Sequence, residues 1–95
     1  MHFVDLSLDT GSHSVHRGSR EIVLTSLEFK LLQEFLIHPR QVLSKDILLD
    51  RVWGYDFDEN VVEVYVKQLR QKLEADNESR LIQTIRNVGY VLREN

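Results

Sequence analysis

The stretch from Asp58 to Leu73, DENVVEVYVKQLRQKL, constrains the fold more than any other part of the chain. Its apolar residues recur at steps of four, three and four: Val62, Val66, Leu69 and Leu73. This spacing places them on one face of an α-helix, which we expect to run over about 59–73 and to point that face into a core. The acidic and amide residues at the start favour a helix N-terminus there, because exposed backbone N–H groups need acceptors.

The outward positions of this predicted helix are rich in hydrogen-bond donors, and no acid lies between Val64 and Leu73. Gln68 can bond an adenine edge with two hydrogen bonds, while Lys67 and Arg70 can meet phosphate or guanine. Val64 can touch a thymine methyl group. The pattern predicts a recognition helix for nucleic acid, although this stretch alone leaves open a surface helix with solvated charges.

Composition limits the class of protein. The chain has 95 residues, 42% of them hydrophobic, which predicts one small domain over 1–95. It has no cysteine, which excludes disulfides and thiolate metal sites and fits the cytoplasm. No leader pattern and no apolar run of about 18 residues is present, so we expect a cytoplasmic domain with no membrane association.

The net charge of −3 has the wrong sign for a protein that binds nucleic acid through bulk electrostatics. The distribution is uneven, because six of the 12 basic residues but only five of the 15 acidic residues lie from Asn60 onward. Any DNA binding must therefore depend on a local basic patch in the second half of the chain.

The N-terminal residues alternate in polarity. Residues 4–9, 13–17 and 21–24 predict three short strands separated by turn residues, which together form an antiparallel meander. Thr25 and Glu28 have capping-box spacing and predict the start of a first helix, which His38 and Pro39 end.

A second helix is predicted after residues 41–43, which form a small strand or an extended linker. Ser44 is its N-cap candidate, and the helix runs to about Trp53. Gly54 is expected to close it in a left-handed cap. The inward residues are expected to be Ile47, Leu48 and Val52. A short loop that includes residues 55–57 then leads to the predicted recognition helix.

The C-terminal residues predict a hairpin over about 81–93. Its strands, 80–86 and 90–93, are joined by residues 87–89, where Gly89 can take positive φ. Tyr90 alternates with Leu92 and is expected in the core, whereas Thr84 and Arg86 are expected on the solvent side near the tip.

The order of these elements defines the expected fold class. It is α+β: a winged helix-turn-helix with an N-terminal antiparallel β-meander, three helices and a C-terminal β-hairpin wing. In this arrangement the third helix enters the major groove of DNA, and the hairpin reaches toward backbone or minor groove.

The sequence also resembles a known family over nearly the whole chain. The matching motifs are Leu24-Thr25, Glu28 to Leu32, His38-Pro39, Val42 to Ser44, Leu48-Leu49, Val52 to Gly54, Val61 to Val66, Leu69-Arg70, Leu73-Glu74, Ile82 to Arg86 and Gly89-Tyr90. Their order and spacing resemble the OmpR/PhoB family of two-component response regulators. In that family a C-terminal winged helix binds promoter DNA under control of a phosphorylated receiver domain.

The resemblance implies partners as well as a fold. The receiver is absent, so the chain is identified as an isolated effector domain, either an excised fragment or a receiver-less protein. The full-length protein would carry a receiver that answers to a sensor kinase in a phosphorelay. The free domain is expected to be monomeric, and two copies are expected on direct repeats of double-stranded promoter DNA. RNA polymerase is a further possible partner through loop 54–59, although this loop is short for the family.

By position, the resemblance implies three groups of DNA contacts. Those to bases are Val64, Lys67 and Gln68. Those to the DNA backbone are Trp53, Asn60, Val61, Tyr65 and Arg70. Those from the wing are Thr84 and Arg86. The family often has arginine or histidine at positions 60, 65 and 68, so we expect fewer phosphate charges here and a sequence preference of this domain's own.

Three alternatives accompany this interpretation. A winged helix that serves protein–protein contacts is the main one, because the net charge is negative. His13 and His16 lack further ligands and predict a surface pair with no metal, and no motif indicates a cofactor or an enzyme. Arg86 could form an ion pair with Glu94 and make no contact with the minor groove.

Overall fold

The computed structural model describes residues 1–54 and 56–94 and has the α+β winged-helix architecture that the sequence predicts. The strands are β1 His2–Phe3, β2 Leu6–Asp9, β3 Ser14–Arg17, β4 Arg20–Ile22, β5 Leu43–Ser44, β6 Ile82–Ile85 and β7 Gly89–Leu92. The helices are α1 Ser26–Ile37, α2 Lys45–Leu48 and α3 Asn60–Leu73, and a π-helical turn, Leu49–Trp53, follows α2.

The N-terminal sheet has four antiparallel strands in the order β1-β2-β3-β4. The prediction of three strands, the first beginning at Val4, was wrong because Val4 has a φ of 56° and forms the turn between β1 and β2. His13 likewise has a φ of 57°, so β3 begins one residue later than predicted. β4 ends at Ile22, and Val23 after it is exposed.

Helix α1 begins with the predicted capping box. Thr25 Oγ1 accepts from the Glu28 N–H at 3.3 Å, and the Glu28 carboxylate accepts from the Thr25 N–H at 2.8 Å. The helix ends at Ile37, two residues before Pro39, as predicted. Its apolar face packs Phe35 and neighbouring leucines into the core.

The second helical element runs to Trp53, as predicted, but its last five residues form a π-helical turn, and the face that it buries differs from the prediction. Ser44 Oγ caps it, as predicted, by accepting from the Ile47 N–H at 3.1 Å. The helix buries Leu48 and Val52, which lie four positions apart, whereas Ile47 is about 100° away from that line and is exposed. The prediction that Ile47 faces inward was therefore wrong.

The α-helical part of this element is only four residues long, and the π-helical turn completes it. Gly54 donates its N–H to the Leu49 carbonyl at 2.8 Å and has the positive φ expected of a closing glycine, 94°. Its ψ of −176° is not that of a left-handed helical cap, so that part of the prediction was wrong. In the loop predicted to follow, Tyr55 lies outside the described residues.

The wing belongs to a three-stranded antiparallel sheet in the order β5-β7-β6. The positive φ in its turn belongs to Asn87, at 64°, and not to Gly89 as predicted. Gly89 lies in β7 opposite Ser44, where a Cβ atom would come within 2.1 Å of the Leu43 carbonyl oxygen. The glycine is therefore needed for a close approach between strands, and asparagine, which tolerates left-handed backbone, makes the turn.

A single cluster of buried apolar side chains joins the two sheets to α1 and α3. All four residues of the predicted stripe on α3 are buried in it: Val62, Val66, Leu69 and Leu73. Tyr90 is also buried, as predicted. The inward face of α3 is thus fixed by packing, and its other faces are available to form a surface.

Candidate nucleic-acid interface

Helix α3 presents a continuous polar face opposite its buried stripe. The exposed side chains on this helix are Asn60, Glu63, Val64, Lys67, Gln68 and Gln71. The three predicted base readers, Val64, Lys67 and Gln68, are all among them, and 51% of Val64 is exposed although it is apolar. The face therefore offers an amide, an ammonium group and a small apolar surface, which are the groups that read base edges.

Arg70 connects this helix to the wing. Its Nε donates to the Ile82 carbonyl at 2.9 Å and its Nη2 to Thr84 Oγ1 at 2.6 Å. Its guanidinium also lies 5.5 Å from the centre of the Tyr90 ring. Burial, with the nearby Arg80, lowers the pKa of Arg70, but an arginine remains a cation at neutral pH. The predicted phosphate contact is thus half-buried and already bonded to the wing.

Two other predicted backbone contacts pack against each other near the start of α3. The Trp53 and Tyr65 rings meet edge to face, with centroids 5.3 Å apart and planes at 63°. The Trp53 Nε1 atom is buried and has no hydrogen-bond partner within residues 1–54 and 56–94. Val61 is half-buried beside the same core. These residues support the helix, whereas Asn60 is exposed in its first turn.

Asp58 caps the first turn of α3. Its Oδ1 accepts from the Asn60 N–H at 2.9 Å, and its backbone carbonyl accepts from the Val61 N–H. Glu59, the residue directly before the helix, makes no side-chain cap. A single exposed carboxylate thus satisfies one of the free N–H groups at this end.

The C-terminal end of α3 is bonded to the N-terminal sheet by two arginines. Arg17, only 3% exposed, donates from Nη1 to the Leu73 carbonyl at 2.9 Å and to the Ser79 carbonyl at 2.7 Å. Arg17 Nε also meets Asp5 Oδ1 at 3.1 Å. Arg20 Nη2 donates to the carbonyls of Lys72 and Leu73. Cations at this end also complement the helix dipole.

Two carboxylates complete the attachment of this end. Glu78 binds the Arg20 guanidinium at 2.8 and 2.9 Å. Glu28, which is 1% exposed, accepts from Lys72 Nζ at 2.6 Å. Burial alone would raise the pKa of Glu28, but the hydrogen bonds from Lys72 and Thr25 together lower it. The charged form of Glu28 therefore joins the start of α1 to the end of α3.

The wing exposes both residues predicted to contact DNA. Thr84 and Arg86 are exposed, as expected for the solvent side of the hairpin. The alternative pairing of Arg86 with Glu94 was wrong, because the Glu94 carboxylate binds Arg40 Nη2 at 2.8 and 2.9 Å. Within the described part of the chain Arg86 forms no ion pair.

Two charged residues that face the wing turn, Lys45 of α2 and Glu63 of α3, are not among the predicted site residues. Lys45 Nζ pairs with the Glu63 carboxylate across 18 positions of sequence. Neither residue belongs to a local motif, so no sequence signal joins them. Arg17 was also missed, although it follows Val15 at the strand period and so lies on the inward face of β3.

Within residues 1–54 and 56–94 no group of three or more metal-ligating side chains comes together. None of the helices there is both long and apolar enough to cross a membrane. The His13 ring stacks on the Phe29 ring, with the two centroids 3.7 Å apart.

A donor-rich third helix joined by an arginine to an exposed hairpin defines a winged-helix domain of the DNA-binding class. Comparisons with known proteins agree. Residues 19–92 match the family described as "Transcriptional regulatory protein, C terminal". The chain is 53% identical over 96 residues to the response regulator MprA of Mycobacterium tuberculosis, and the match covers 99% of this chain and 42% of MprA.

Solved structures give the same result. The DNA-binding domain of the response regulator AdeR, in complex with an intercistronic region, has a TM-score of 0.92 at 27% identity, with complete coverage of both chains. The DNA-binding domain of Klebsiella pneumoniae RstA, in complex with the RstA box, has a TM-score of 0.86 at 31% identity and covers 98% of this chain and 95% of that one.

The chain belongs to the OmpR/PhoB-type C-terminal domains of transcriptional regulatory proteins. It is a winged-helix output domain of the kind that response regulators use to bind DNA. It spans 42% of the length of the curated relatives it matches.

Proposed function

We propose that this domain binds double-stranded promoter DNA in a sequence-specific manner, with α3 in the major groove and the wing at the adjacent minor groove or backbone. The observation that carries the proposal is the bonding of Arg70 to Ile82 and Thr84, because it makes the exposed face of α3 and the wing one surface. Two elements held at a fixed separation can engage neighbouring grooves of one duplex.

The reading of bases falls to the exposed middle of α3. Gln68 would bond an adenine edge, Lys67 a guanine or a phosphate, and Val64 a thymine methyl group. All three side chains are exposed, and within the described residues Lys67 forms no ion pair and Gln68 forms no side-chain hydrogen bond. They can therefore meet base edges without first breaking an internal contact.

Positioning on the sugar-phosphate backbone falls to residues around this centre: Trp53, Asn60, Val61, Tyr65, Arg70 and Thr84. These residues differ in how accessible their polar groups are. Asn60 and Thr84 are exposed, whereas the buried indole N–H of Trp53 would have to turn outward to meet a phosphate. Arg70 would bind phosphate while holding Thr84, since a guanidinium has five N–H donors. Arg86, at the wing turn, would enter the minor groove, where A·T-rich sequence strengthens the negative potential.

The same proposal covers the surroundings of the domain. In a full-length cytoplasmic response regulator, a receiver phosphorylated through a sensor kinase would bring two copies together on direct repeats about one helical turn apart. The free domain would be monomeric, and it would carry out no catalytic step. Contact with RNA polymerase would involve the 54–59 loop, in which Phe57 is exposed.

A titration of duplex binding against salt tests the proposal. The wild-type domain should bind a selected duplex with a steep negative dependence of log affinity on log salt, because phosphate contacts release counterions. A winged helix that serves only protein contacts would show no such slope, and this result would overturn the proposal.

Gln68→Ala tests the docking of α3. It should reduce discrimination at one base pair by about 1–3 kcal/mol while leaving the salt slope unchanged, because a base contact is lost and the phosphate contacts remain. Gln41→Ala is the matched control, since Gln41 is an exposed amide outside the proposed surface. Equal weakening on all duplexes would show that α3 is docked differently.

Arg86→Ala tests the wing. It should leave the thermal midpoint nearly unchanged and reduce affinity most for sites with an A·T-rich flank. Equal losses on A·T-rich and G·C-rich flanks would mean that Arg86 supplies only charge.

A further inference from the structure

The space between α3 and the wing is an acidic groove. It holds about 370 Å³ and is bordered by the first turn of α2, the first turn of α3 and the wing turn. Its lining carries three carboxylates and two cations: Asp46, Glu59, Glu63, Lys45 and Arg86. An excess of negative charge is unexpected on a surface that is proposed to meet DNA.

The geometry of a duplex makes this groove important. A major groove and its neighbouring minor groove are separated by one sugar-phosphate strand. If α3 occupies one and the wing the other, that strand must pass between them, over the acidic groove. Carboxylates there repel the phosphates. Some positive charge must therefore compensate them when DNA is bound.

Lys45 is placed to compensate them. Its ammonium group bonds the Glu63 carboxylate, and the two side chains are 38% and 52% exposed, so each remains accessible from the groove. The hydrogen bond to Glu63 raises the pKa of Lys45, and a lysine amine is already protonated at neutral pH without this effect. An ammonium group has three donors, so Lys45 can bond Glu63 and a phosphate oxygen at the same time.

We propose that Glu63 and Lys45 form a selectivity pair, in which Glu63 repels the DNA backbone and Lys45 offsets that repulsion by sharing its ammonium group with a phosphate of the docked strand. Lys45 is then a phosphate-binding residue that no local motif reveals, and Glu63 is a specificity residue that acts on every sequence. The inference rests on the proposed docking of α3 and the wing. Its consequence is that unselected DNA, to which the domain docks less closely, is held weakly.

Three variants test the pair: Glu63→Gln, Lys45→Gln and the double variant. Glu63→Gln should bind all duplexes more tightly, by about 3–10-fold at low salt, and should reduce the ratio of specific to non-specific affinity. Lys45→Gln should weaken binding by about the same factor and make the salt slope shallower by about one. The double variant should return close to wild-type affinity, because the net charge of the groove is restored.

The matched control is the exposed pair Arg40 and Glu94, which lies outside the groove. Arg40→Gln and Glu94→Gln should each change affinity by less than about twofold, since their charges are screened from the docked strand. Urea denaturation of every variant should give nearly unchanged midpoints, because exposed ion pairs contribute little to stability.

Opposite effects of the two single variants support the inference. Weaker binding in both would instead show that the pair only holds α2 against α3, and unchanged binding in both would show that no strand crosses the groove. Either result overturns the inference while the wild-type salt slope still supports DNA binding. A wild-type domain that shows no salt slope would overturn the proposed function itself.

Discussion

The two ends of α3 are held in very different ways. At the C-terminal end, Arg17 and Arg20 donate to the last carbonyls, and Lys72 reaches the buried Glu28. At the N-terminal end, one exposed carboxylate, that of Asp58, caps the first turn. The C-terminal bonds involve buried or half-buried groups, whereas the N-terminal cap is in contact with water.

Because of this difference, the residues that hold the end of α3 are not the residues that are proposed to read bases. The arginine and lysine hydrogen bonds to the N-terminal sheet and α1 lie at the end remote from Asn60, whereas the start of the helix is held by apolar packing around Trp53 and Tyr65. The proposed base readers project from the middle of the helix and support nothing else. Substitutions on the reading face can therefore change sequence preference without a large loss of stability. Arg70 is the exception, because it both bonds the wing and belongs to the proposed interface.

The largest expected effect comes from removing Arg17. Arg17→Ala leaves the carbonyls of Leu73 and Ser79 without their buried donor, and we expect the free energy of unfolding to fall by about 3 kcal/mol in urea denaturation. Arg80→Ala is the matched control, since Arg80 forms an exposed pair with Glu74 and should cost less than about 1 kcal/mol. Equal losses for the two variants would contradict the claim that the C-terminal end is the anchored one.

Arg70→Ala should have the next largest effect. It removes two hydrogen bonds between α3 and the wing, and we expect a loss of about 2 kcal/mol in the free energy of unfolding. Binding should weaken on every duplex, with a salt slope shallower by about one. Arg70→Lys keeps the charge but not the forked geometry, so it should retain the slope while losing part of the stability. If Arg70→Ala leaves the free energy of unfolding unchanged, Arg70 does not stabilise the wing and acts on DNA alone.

Glu28→Gln should have a smaller effect that depends on pH. The pKa of Glu28 is lowered in the folded state, so its charged form stabilises the fold above the ordinary carboxyl range, and this contribution is lost as the pH falls through the lowered pKa. At pH 7 the variant should lose about 1 kcal/mol. Its stability should then fall less steeply with acid than that of the wild type. Glu21→Gln is the matched control, because Glu21 is exposed, and it should leave the free energy of unfolding at pH 7 nearly unchanged.

Asp58→Ala should have the smallest effect, about 0.5–1 kcal/mol, because one exposed cap is lost. Asp58→Asn, which keeps a capping oxygen, should recover most of the loss in thermal denaturation. If Asp58→Ala costs as much as Arg17→Ala, the two ends of α3 are equally anchored and the comparison fails.

The sequence alone predicts those features that depend on neighbours along the chain. The capping box at Thr25 and the buried stripe of α3 are confirmed because their spacing is set by helix geometry. Glycine and asparagine both adopt positive φ, so the sequence of the wing turn does not decide between Asn87 and Gly89. Only the approach of the Leu43 carbonyl to Gly89, a contact between distant segments, decides between them.

In the candidate site, too, the sequence predicts what local spacing determines and does not predict contacts between distant segments. Val64, Lys67 and Gln68 are exposed as predicted, because the buried stripe fixes which face of α3 is outward. The bonds of Arg70 to the wing and of Lys45 to Glu63 join positions 12 to 18 residues apart. Local periodicity carries no information about such pairs.

The buried arginine of β3 has a practical consequence for anyone who shortens this chain. A protein trimmed to begin at Ser19 would keep residues 19–92, the whole region that matches the family, and every side chain proposed to touch DNA. It would nevertheless lose Arg17, and the Leu73 carbonyl would keep only the longer hydrogen bond from Arg20, at 3.3 Å. Such a fragment would retain every group proposed to contact DNA, but the far end of α3 would be held by Arg20 and Lys72 alone. An intact recognition sequence would then coexist with impaired recognition.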